Sequence, residues 1–561
     1  MVASWALSEV PRYLFYVCAQ LKSQPYPLFW LRYSLFLVLY PTGISGELLQ
    51  VYASLSDAAC SPVCQRASLC LFAVYVVGSP YMILNMWGNR VRALKKRAAD
   101  AKPQAPPDGL CWPVTDAATQ ERGSMPTNKA IWAAAVGAAS AQAQAAVERE
   151  RNWRFGYAHH AEENVKLSLA SPADALAIAR AGLAAAHARF RFRRAGAELP
   201  LGEAIAAAPK DAFLTFEVAG AGARPASALQ VPYGGSDPAR PYYLHKGSKA
   251  VLEGKALCQQ LDAWAAYGTI ERSAAESIKA LALSGTLDLS DRYFVLLGAT
   301  SAMGPLDLLL KYGANIVAVD LDRPGVWEKI LAKARASPGR VIFPVSAAKA
   351  GARRALADYA GDDRALAAVA GANLLGATPE LVHWLAGVCP GKALTIGNYT
   401  YLDGPLHVQL SIGCDAIMAA VCAARKDTAL AFLCTPTDLH VIPAEAAAAA
   451  SANAAAYPAW LRALAALGTR ALRPNALPPV KAKGGDIYYV DGLSVAQGPN
   501  YALAKRLQHW RAVVARSEGH TVSSNIAPST ATESVTSNAT FQMAYGGFHV
   551  FKPLEVMYQC V

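Results

Sequence analysis

One phenol and one carboxylate interrupt an apolar run near the start of the sequence, where they form a pair that could do chemistry. Tyr40 and Glu47 lie seven residues apart within residues 30–49. On a helix this spacing is two turns, so both side chains point the same way, about 10 Å apart along the axis. Pro41 and Gly43 lie between them and would bend the axis and allow close approach. The two groups could therefore converge on one small substrate as a base and an acid.

The cost of burying a charge favours a function for Glu47, although two alternatives stay open. A carboxylate at the centre of a bilayer costs about 2.5 kcal/mol or more, which makes it a functional candidate. Glu47 could instead lie at the level of the lipid headgroups, and Tyr40 could belong to an interfacial aromatic belt.

The same run resembles a known family. The letters LRYSLFLVLYPTGISGELLQVYASL resemble the signature segment of the very-long-chain 3-hydroxyacyl-CoA dehydratase family, also called protein tyrosine phosphatase-like A. The similarity extends over about residues 4–97 and is to the C-terminal half of the six-helix family members. In that family the tyrosine and the glutamate of the pattern YPxGxxGE are the catalytic pair, which here are Tyr40 and Glu47.

The resemblance implies dehydration of a very-long-chain 3-hydroxyacyl-CoA to a trans-2-enoyl-CoA in fatty-acid elongation. Glu47 would be the base for the C2 proton, and Tyr40 would be the acid for the departing hydroxyl. The reaction implied needs no cofactor. The partners implied are an acyl-CoA substrate and membrane lipid, together with other fatty-acid elongation enzymes.

Hydropathy predicts about three transmembrane helices, in the apolar segments 13–21, 28–55 and 68–87. Five basic residues fall between 90 and 97, directly after the third segment. The positive-inside rule places this end, and everything after it, in the cytosol. We therefore expect a multi-pass protein of the endoplasmic reticulum membrane. Because half of the family's helices have no counterpart here, homo-oligomerisation is one expected way to enclose an acyl chain.

A second pattern that could bind a ligand begins at residue 293. A short apolar strand is followed by a loop with Gly298, Ser301 and Gly304, and a second strand ends at Asp320. Glycines let the backbone approach a pyrophosphate, and a carboxylate after the second strand can hold ribose hydroxyls. The match is incomplete, because Ser301 occupies the place of the middle glycine. The pattern predicts NAD(H) as a possible cofactor, since Asp320 would repel the additional phosphate of NADP.

A third pair, Tyr501 and Lys505, lies one helical turn apart near the end of the sequence. Further strands are predicted at 341–345, 393–396 and 430–433, and the order resembles the short-chain dehydrogenase/reductase superfamily over about residues 290–530. The Tyr-x3-Lys pair of that superfamily passes a proton to a carbonyl as hydride arrives, with lysine stabilising the phenolate. Thr435 and Thr437 fall at the end of the fifth strand, where the superfamily has its serine, and about sixty residues, 441–500, separate that strand from Tyr501.

Composition agrees with a chain that is part membrane protein and part compact globule. The 561 residues are 53% hydrophobic and 17% charged, and the net charge is +12. The eleven cysteines lack the spacing of a metal site, so no metal is predicted. An alternating Arg and Phe stretch at 189–194 favours a solvated strand over an RNA site, and no nucleic-acid partner is predicted.

The predicted fold is multi-domain, with an α-helical transmembrane segment followed by a cytosolic α/β Rossmann-like doubly wound domain. Five prolines between residues 98 and 128 predict an extended linker. The predicted parts are a dehydratase-like membrane domain at 1–97, the linker at 98–128, an α-rich region of unassigned role at 129–285, the Rossmann-like, reductase-like domain at 286–530 and a tail at 531–561.

Three functions remain open from these residues. The first is the dehydratase, and the second is a membrane-anchored 3-ketoacyl reductase that uses Tyr501 and Lys505. The third is a scaffold in which neither pair is catalytic.

Overall fold

The computed structural model describes most of the chain and divides it into two compact units, residues 1–106 and 107–561. The predicted tail, 531–561, lies outside the described residues. The described residues are 9–11, 13–15, 17–18, 25–55, 61–100, 107–225, 229–233, 250–267, 270–285, 287–351, 356–456, 458–466, 476–493 and 495–526.

The first unit consists of helices in its described part. These are α1 (Tyr26–Ser34), α2 (Phe36–Leu55) and α3 (Pro62–Asp100). Leu35 keeps a right-handed helical conformation, so α1 and α2 form one long apolar stretch. Residues 26–53 are long and apolar enough to cross a membrane, and few of their side chains are buried in the unit. The predicted apolar segments 28–55 and 68–87 thus lie in helices.

Helix α3 is longer than a bilayer crossing requires. Its 39 residues span about 58 Å at 1.5 Å per residue, whereas the hydrocarbon core of a bilayer is about 30 Å thick. The basic residues 90–97 belong to the last turns of this helix. If its apolar part crosses a membrane, its basic end therefore reaches beyond the hydrocarbon.

The second unit is an α/β structure with additional helices and small sheets. Its elements before the large parallel sheet are β1 (Gly109–Cys111), α4 (Ser124–Gly137), α5 (Ala141–Arg149), α6 (Trp153–Ala170), α7 (Pro172–Arg189), β2 (Arg191–Arg194), β3 (Ala197–Pro200), α8 (Leu201–Ala207), β4 (Phe213–Ala219), β5 (Gln230–Tyr233), β6 (Ala250–Glu253), α9 (Gly254–Tyr267) and α10 (Arg272–Ala282). The elements that follow are β7 (Tyr293–Leu297), α11 (Leu306–Lys311), β8 (Asn315–Val319), α12 (Pro324–Ala336), β9 (Arg340–Ser346), α13 (Ala347–Gly351), α14 (Asp363–Val369), α15 (Thr378–Gly387), β10 (Leu394–Asn398), α16 (Pro405–Ala424), β11 (Ala429–Cys434), β12 (Leu439–Val441), α17 (Ala444–Ala455), α18 (Ala459–Ala466), β13 (Ala476–Ala482), β14 (Gly485–Asp491), α19 (Gly498–Ser517) and β15 (Val522–Ile526).

Seven strands form the central sheet in the order β15-β11-β10-β7-β8-β9-β4. All neighbours are parallel except β4, which pairs antiparallel with β9. Numbered along the chain, the six parallel strands read 6-5-4-1-2-3, which is the strand order of doubly wound sheets. The direction of winding reverses between β7 and β10, so the carboxyl ends of these two strands border a crevice.

The strands form because their sequences are continuous apolar runs, as expected for a sheet covered on both faces. Alternate residues face opposite ways. Val295 and Val317 pack in one core with helices α15 and α16. Leu296 and Ile316 pack in the other core with α11, α12 and α14. The apolar helix α16 is long enough to cross a membrane by composition, yet it is largely buried here and serves as a core helix.

The second unit differs from the predicted linker and α-rich region in two respects. Strand β1 and the start of α4 fall within 98–128, because the short run Gly109–Cys111 pairs with Arg191–Arg194. Strand β4 falls within 129–285 and extends the central sheet beside β9. Both strands pair with partners distant in sequence, so local composition did not reveal them.

Helices α4 to α7 cover α16 and α19 with a further apolar layer. A buried Asn128 joins this layer to the start of α19, since its Nδ2 donates to the carbonyl of Pro499 at 2.9 Å. Its Oδ1 accepts from the indole N–H of Trp153 at 2.9 Å. The predicted insertion 441–500 contains α17, α18, β13 and β14. The two strands form an antiparallel sheet of order β12-β14-β13 with β12, which begins at Leu439.

We expect Gly182→Ala to destabilise this helical layer. Gly182 lies in α7, where an added Cβ would collide with the ring of Trp510, a side chain that is buried. Overpacking of this kind costs about 1–3 kcal/mol. Chemical denaturation of the full-length protein, followed by tryptophan fluorescence, would measure the loss. Gly202→Ala in α8 is the matched control, because an added Cβ there meets no atom within 4 Å; equal effects would contradict the packing argument.

Candidate functional sites

The first candidate pair lies on one helix. Tyr40 and Glu47 are both half-buried residues of α2, two turns apart as predicted. The ring of Tyr40 meets the buried ring of Phe36 edge-on, with 6.5 Å between centroids and 84° between planes. The ring of Tyr40 therefore packs against the side chain one helical turn before it.

The proline between the two groups lies inside the helix. Pro41 cannot donate a backbone hydrogen bond, so α2 has one donor fewer at this point. The hydroxyl of Thr42, the next residue, donates to the carbonyls of Val38 at 2.9 Å and Leu39 at 3.1 Å. Gly43, the next residue, is buried. The helix is therefore continuous between Tyr40 and Glu47.

Two contacts around this pair were missed from sequence. Arg90 Nε donates to the buried Ser34 Oγ at 3.1 Å and ties α3 to the end of α1. Arg32 lies over the rings of Phe15 at 5.0 Å and Tyr33 at 5.4 Å. Arg90 was predicted only as part of the basic cluster, because nothing in its sequence neighbourhood indicates a partner 56 residues away.

Chemically, this helix offers one donor and one acceptor to the same side. A phenol can donate a proton or hydrogen bond to a departing oxygen, and a carboxylate can accept a proton from carbon.

The glycine loop after β7 has the left-handed turn that its first glycine allows. Gly298 has φ +76°, and a side chain there would press on Thr400 at 3.1 Å. The loop closes on itself, because the N–H of Ser301 donates to the carbonyl of Gly298 at 3.0 Å and the N–H of Gly304 donates to that of Ser301 at 2.8 Å. The N–H groups of Gly298 and Ala299 donate to the carbonyl of Val319, at 3.0 and 3.2 Å, so most of the loop's N–H groups are already used.

Asp320 is buried at the end of β8, and its carboxylate is also engaged. One oxygen accepts from the backbone N–H of Thr300 at 2.7 Å and from its hydroxyl at 2.8 Å. The other accepts from the N–H of Leu321 at 2.8 Å. Asp320 therefore holds the glycine loop in place.

These residues do not fit a dinucleotide in the predicted manner. Helix α11 has only six residues and begins after Pro305, which has no N–H to offer a pyrophosphate. Three donors already bond to the carboxylate of Asp320, so a ribose would find one remaining lone pair, on the oxygen that accepts from Leu321. Gly298, Ser301, Gly304 and Asp320 come together as predicted, but as a self-contained turn.

We accordingly expect the full-length protein not to bind NAD(H) at this loop. NADH fluorescence should stay unchanged on adding the purified chain, and Asp320→Asn should not alter that result. Saturable enhancement of NADH fluorescence that is weakened by Asp320→Asn would contradict this expectation.

Tyr501 and Lys505 lie on α19 at the carboxyl edge of the sheet. Lys505 Nζ is 5.9 Å from the centre of the Tyr501 ring and donates to the carbonyl of Leu433, at the end of β11, at 3.4 Å. Burial lowers the pKa of Lys505. The hydroxyls of Thr435 and Thr437, the candidates for the reductase serine, bond to each other at 2.9 Å.

Sequence reasoning missed the side chains that surround this pair. The ring of Tyr501 stacks on that of His407, with 5.5 Å between centroids and 14° between planes. Tyr401 touches both rings, at 5.2 Å from His407 and 6.2 Å from Tyr501, and its hydroxyl donates to Asp403 at 2.7 Å. No pattern in the sequence links His407 to residues almost a hundred positions later.

The described residues include no group of three or more His, Cys, Asp or Glu side chains that could hold a metal ion.

Comparison with known proteins concerns the first unit. The family described as "Protein tyrosine phosphatase-like protein, PTPLA" matches residues 1–96, a segment that includes Tyr40 and Glu47. Members of this family are membrane proteins. The prediction that the similarity is to the C-terminal half of those members stays a prediction.

Three curated relatives illustrate the match. The very-long-chain (3R)-3-hydroxyacyl-CoA dehydratase PASTICCINO 2B of Oryza sativa subsp. japonica is 40% identical over 114 residues, covering 18% of this chain and 52% of the relative. Very-long-chain (3R)-3-hydroxyacyl-CoA dehydratase 2 of Homo sapiens is 52% identical over 54 residues, or 10% and 21% of the two chains. The dehydratase hpo-8 of Caenorhabditis elegans is 52% identical over 58 residues, or 10% and 27%. The chain thus spans about half or less of the length of these relatives.

The comparisons give no corresponding match for the second unit. The family match ends at residue 96, and no solved structure matches the chain. The comparisons therefore do not support the resemblance of residues 290–530 to the short-chain dehydrogenase/reductase superfamily, or an oxidoreductase activity.

Proposed function

We propose that the chain dehydrates very-long-chain 3-hydroxyacyl-CoA to trans-2-enoyl-CoA in fatty-acid elongation. The observation that carries the proposal is the position of Tyr40 and Glu47. They lie two turns apart on α2, within the residues that match the dehydratase-related family.

The reaction follows from the chemistry of the two groups. Glu47 takes the C2 proton, the electrons form the C2–C3 double bond, and the C3 hydroxyl leaves with a proton from Tyr40 as water. Loss of this water needs neither hydride nor metal. Because α2 is apolar, the charge that develops in the transition state is poorly screened, which strengthens its interaction with the phenol.

Location and partners belong to the same proposal. The apolar helices and the basic end of α3 support a multi-pass protein of the endoplasmic reticulum membrane with the second unit in the cytosol. Acyl-CoA would be the substrate and lipid the surroundings, with other elongation enzymes as neighbours. A homo-oligomer could supply helices to enclose the acyl chain.

Replacing Tyr40 by Phe tests the acid role. Phenylalanine keeps the edge-on contact with Phe36 and removes the donor, so we expect enoyl-CoA formation to fall about 10²-fold, within the range for general acid catalysis. Membranes containing the full-length variants and a long-chain 3-hydroxyacyl-CoA would provide the rate. Tyr52→Phe is the control, since Tyr52 is an exposed phenol on the same helix; equal losses in both variants would contradict the role of Tyr40.

A membrane-anchored NAD(P)-dependent 3-ketoacyl reductase is the second candidate. The position of Tyr501 and Lys505 at the carboxyl edge of a doubly wound sheet favours it. The engaged carboxylate of Asp320 and the short helix after Pro305 oppose it. A non-catalytic scaffold is the remaining alternative, and it predicts that Tyr40→Phe and Lys505→Met are both silent.

A further inference from the structure

The carboxyl ends of β7 and β10 border the crevice where the sheet reverses its winding, and ligands of doubly wound sheets bind at such a point. β10 ends at Asn398, and the loop that follows leads through Thr400 and Tyr401 to His407 on α16. Lys505 and Tyr501 approach from α19. We call these six residues the switch-point cluster.

In the side-chain amide of Asn398, the oxygen accepts hydrogen bonds but the nitrogen has no acceptor among the described residues. The residue is 2% exposed, and its Oδ1 accepts from the N–H of Thr400 at 3.2 Å and from the Thr400 hydroxyl at 2.7 Å. Among the described residues, none accepts from its Nδ2. The amide therefore presents an unsatisfied donor inside the protein.

His407 presents a second unsatisfied hydrogen-bond donor. Its Nδ1 accepts the backbone N–H of Leu402 at 3.2 Å, which assigns the proton of the neutral ring to Nε2. Burial, then the charge of Lys505, lowers the pKa of His407 to about 3, so the ring stays neutral at physiological pH. The residue is fully buried, and its Nε2 has no partner in the described part of the chain.

Two unsatisfied donors in one small region are costly. Each is destabilising relative to a donor that has an acceptor. Lys505 Nζ lies beside the same rings and donates to the carbonyl of Leu433. The N–H donors of His407 and Asn398 lack an acceptor in the described part of the chain, and the rings of Tyr401 and Tyr501 provide flat walls around His407.

We propose that the switch-point cluster binds a small ligand through the oxygen of a planar carbonyl or carboxylate group, which accepts from His407 Nε2 and Asn398 Nδ2. The walls are aromatic, so the carbon that bears the oxygen packs against Tyr501. Tyr401 is 47% exposed and is the outermost ring of the cluster. The site is independent of the proposed dehydration, because its residues all belong to the second unit.

Ligand-observed saturation-transfer NMR tests the proposal on the purified full-length chain in detergent. Butyrate supplies a carboxylate, and 2-butanone supplies a neutral carbonyl. We expect transfer to at least one probe, with an affinity that falls about tenfold in His407→Phe and in Asn398→Leu, since each removes one hydrogen bond. Transfer to butyrate alone assigns a carboxylate, and transfer to 2-butanone alone assigns a carbonyl.

Three controls keep this test decisive. His159→Phe changes an exposed histidine and should leave transfer unchanged, whereas His407→Gln retains a donor and should restore part of it. A cooperative melting transition must show that each variant is folded, because His407→Phe also removes the acceptor of the Leu402 N–H and Asn398→Leu removes the acceptor of the Thr400 N–H. Transfer to neither probe, or transfer that persists in both His407→Phe and Asn398→Leu, would overturn the proposal.

Discussion

Replacing Glu47 by Gln should lower the rate of enoyl-CoA formation about 10⁴-fold, the upper end of the range for general acid–base catalysis. Glutamine has nearly the same shape, so the packing of α2 should persist. Its amide cannot take a proton from C2, and this step has no substitute in the proposed reaction. The rate constant should fall while the Michaelis constant changes little, because the group acts mainly in the transition state.

The control for this variant is Gln50→Ala. Gln50 is an exposed residue of the same helix, and we expect its activity to stay within about twofold of the wild type, since exposed substitutions have small effects. Full activity in Glu47→Gln, with the protein inserted in the membrane, would contradict the assignment of the base.

The largest expected effect on stability is at a buried charge cluster of the second unit. Asp415 on α16 accepts two hydrogen bonds from Arg511 on α19, at 2.7 and 2.8 Å. Nε2 of His187 on α7 lies 2.6 Å from the same carboxylate. The side chains of Asp415 and Arg511 are 2% and 10% exposed. The cluster therefore joins three helices around one buried ion pair.

Asp415→Asn should lower the free energy of unfolding of this unit by about 3–5 kcal/mol, because it leaves the guanidinium of Arg511 buried without its counter-charge. Urea denaturation of the full-length protein, followed by tryptophan fluorescence, would measure the loss. Asp307→Asn is the matched control, since Asp307 pairs with Lys333 at an exposed site and should cost less than about 1 kcal/mol. Equal shifts in the two variants would contradict a buried pair.

The effect of Asp415→Asn should depend on pH. Burial alone would raise the pKa of Asp415, but the charge and hydrogen bonds of Arg511, followed by those of His187, hold it well below its usual range. A lowered pKa contributes stability above the unfolded value of about 3.9. That contribution is lost as pH falls toward the folded value. The gap between wild type and Asp415→Asn should therefore be constant near neutrality and narrow below about pH 4.

The sequence predicted the elements whose signal is local. The strands β7 and β8 are continuous apolar runs, and Asp320 follows the second of them directly. The helix that carries Tyr40 and Glu47 is one apolar run that contains the family pattern YPxGxxGE. In each case residues adjacent in the sequence are enough to predict the element.

What the sequence did not reveal depends on distant partners. Strand β4 joins the sheet through β9, more than a hundred residues later. Asp320 lies directly after β8, but its bond to Thr300 was not foreseen, and this bond uses part of the carboxylate that a ribose would need. The sequence could not predict that His407 and Asn398 belong to one cluster, because the cluster forms only when α16 and α19 pack at one edge of the sheet.

Dehydration can be measured as formation of trans-2-enoyl-CoA from a long-chain 3-hydroxyacyl-CoA by the purified full-length chain in lipid nanodiscs. We predict product from the wild type without added nucleotide or metal, and none above background from Glu47→Gln. Absence of product from correctly inserted wild-type protein would contradict dehydration at Tyr40 and Glu47.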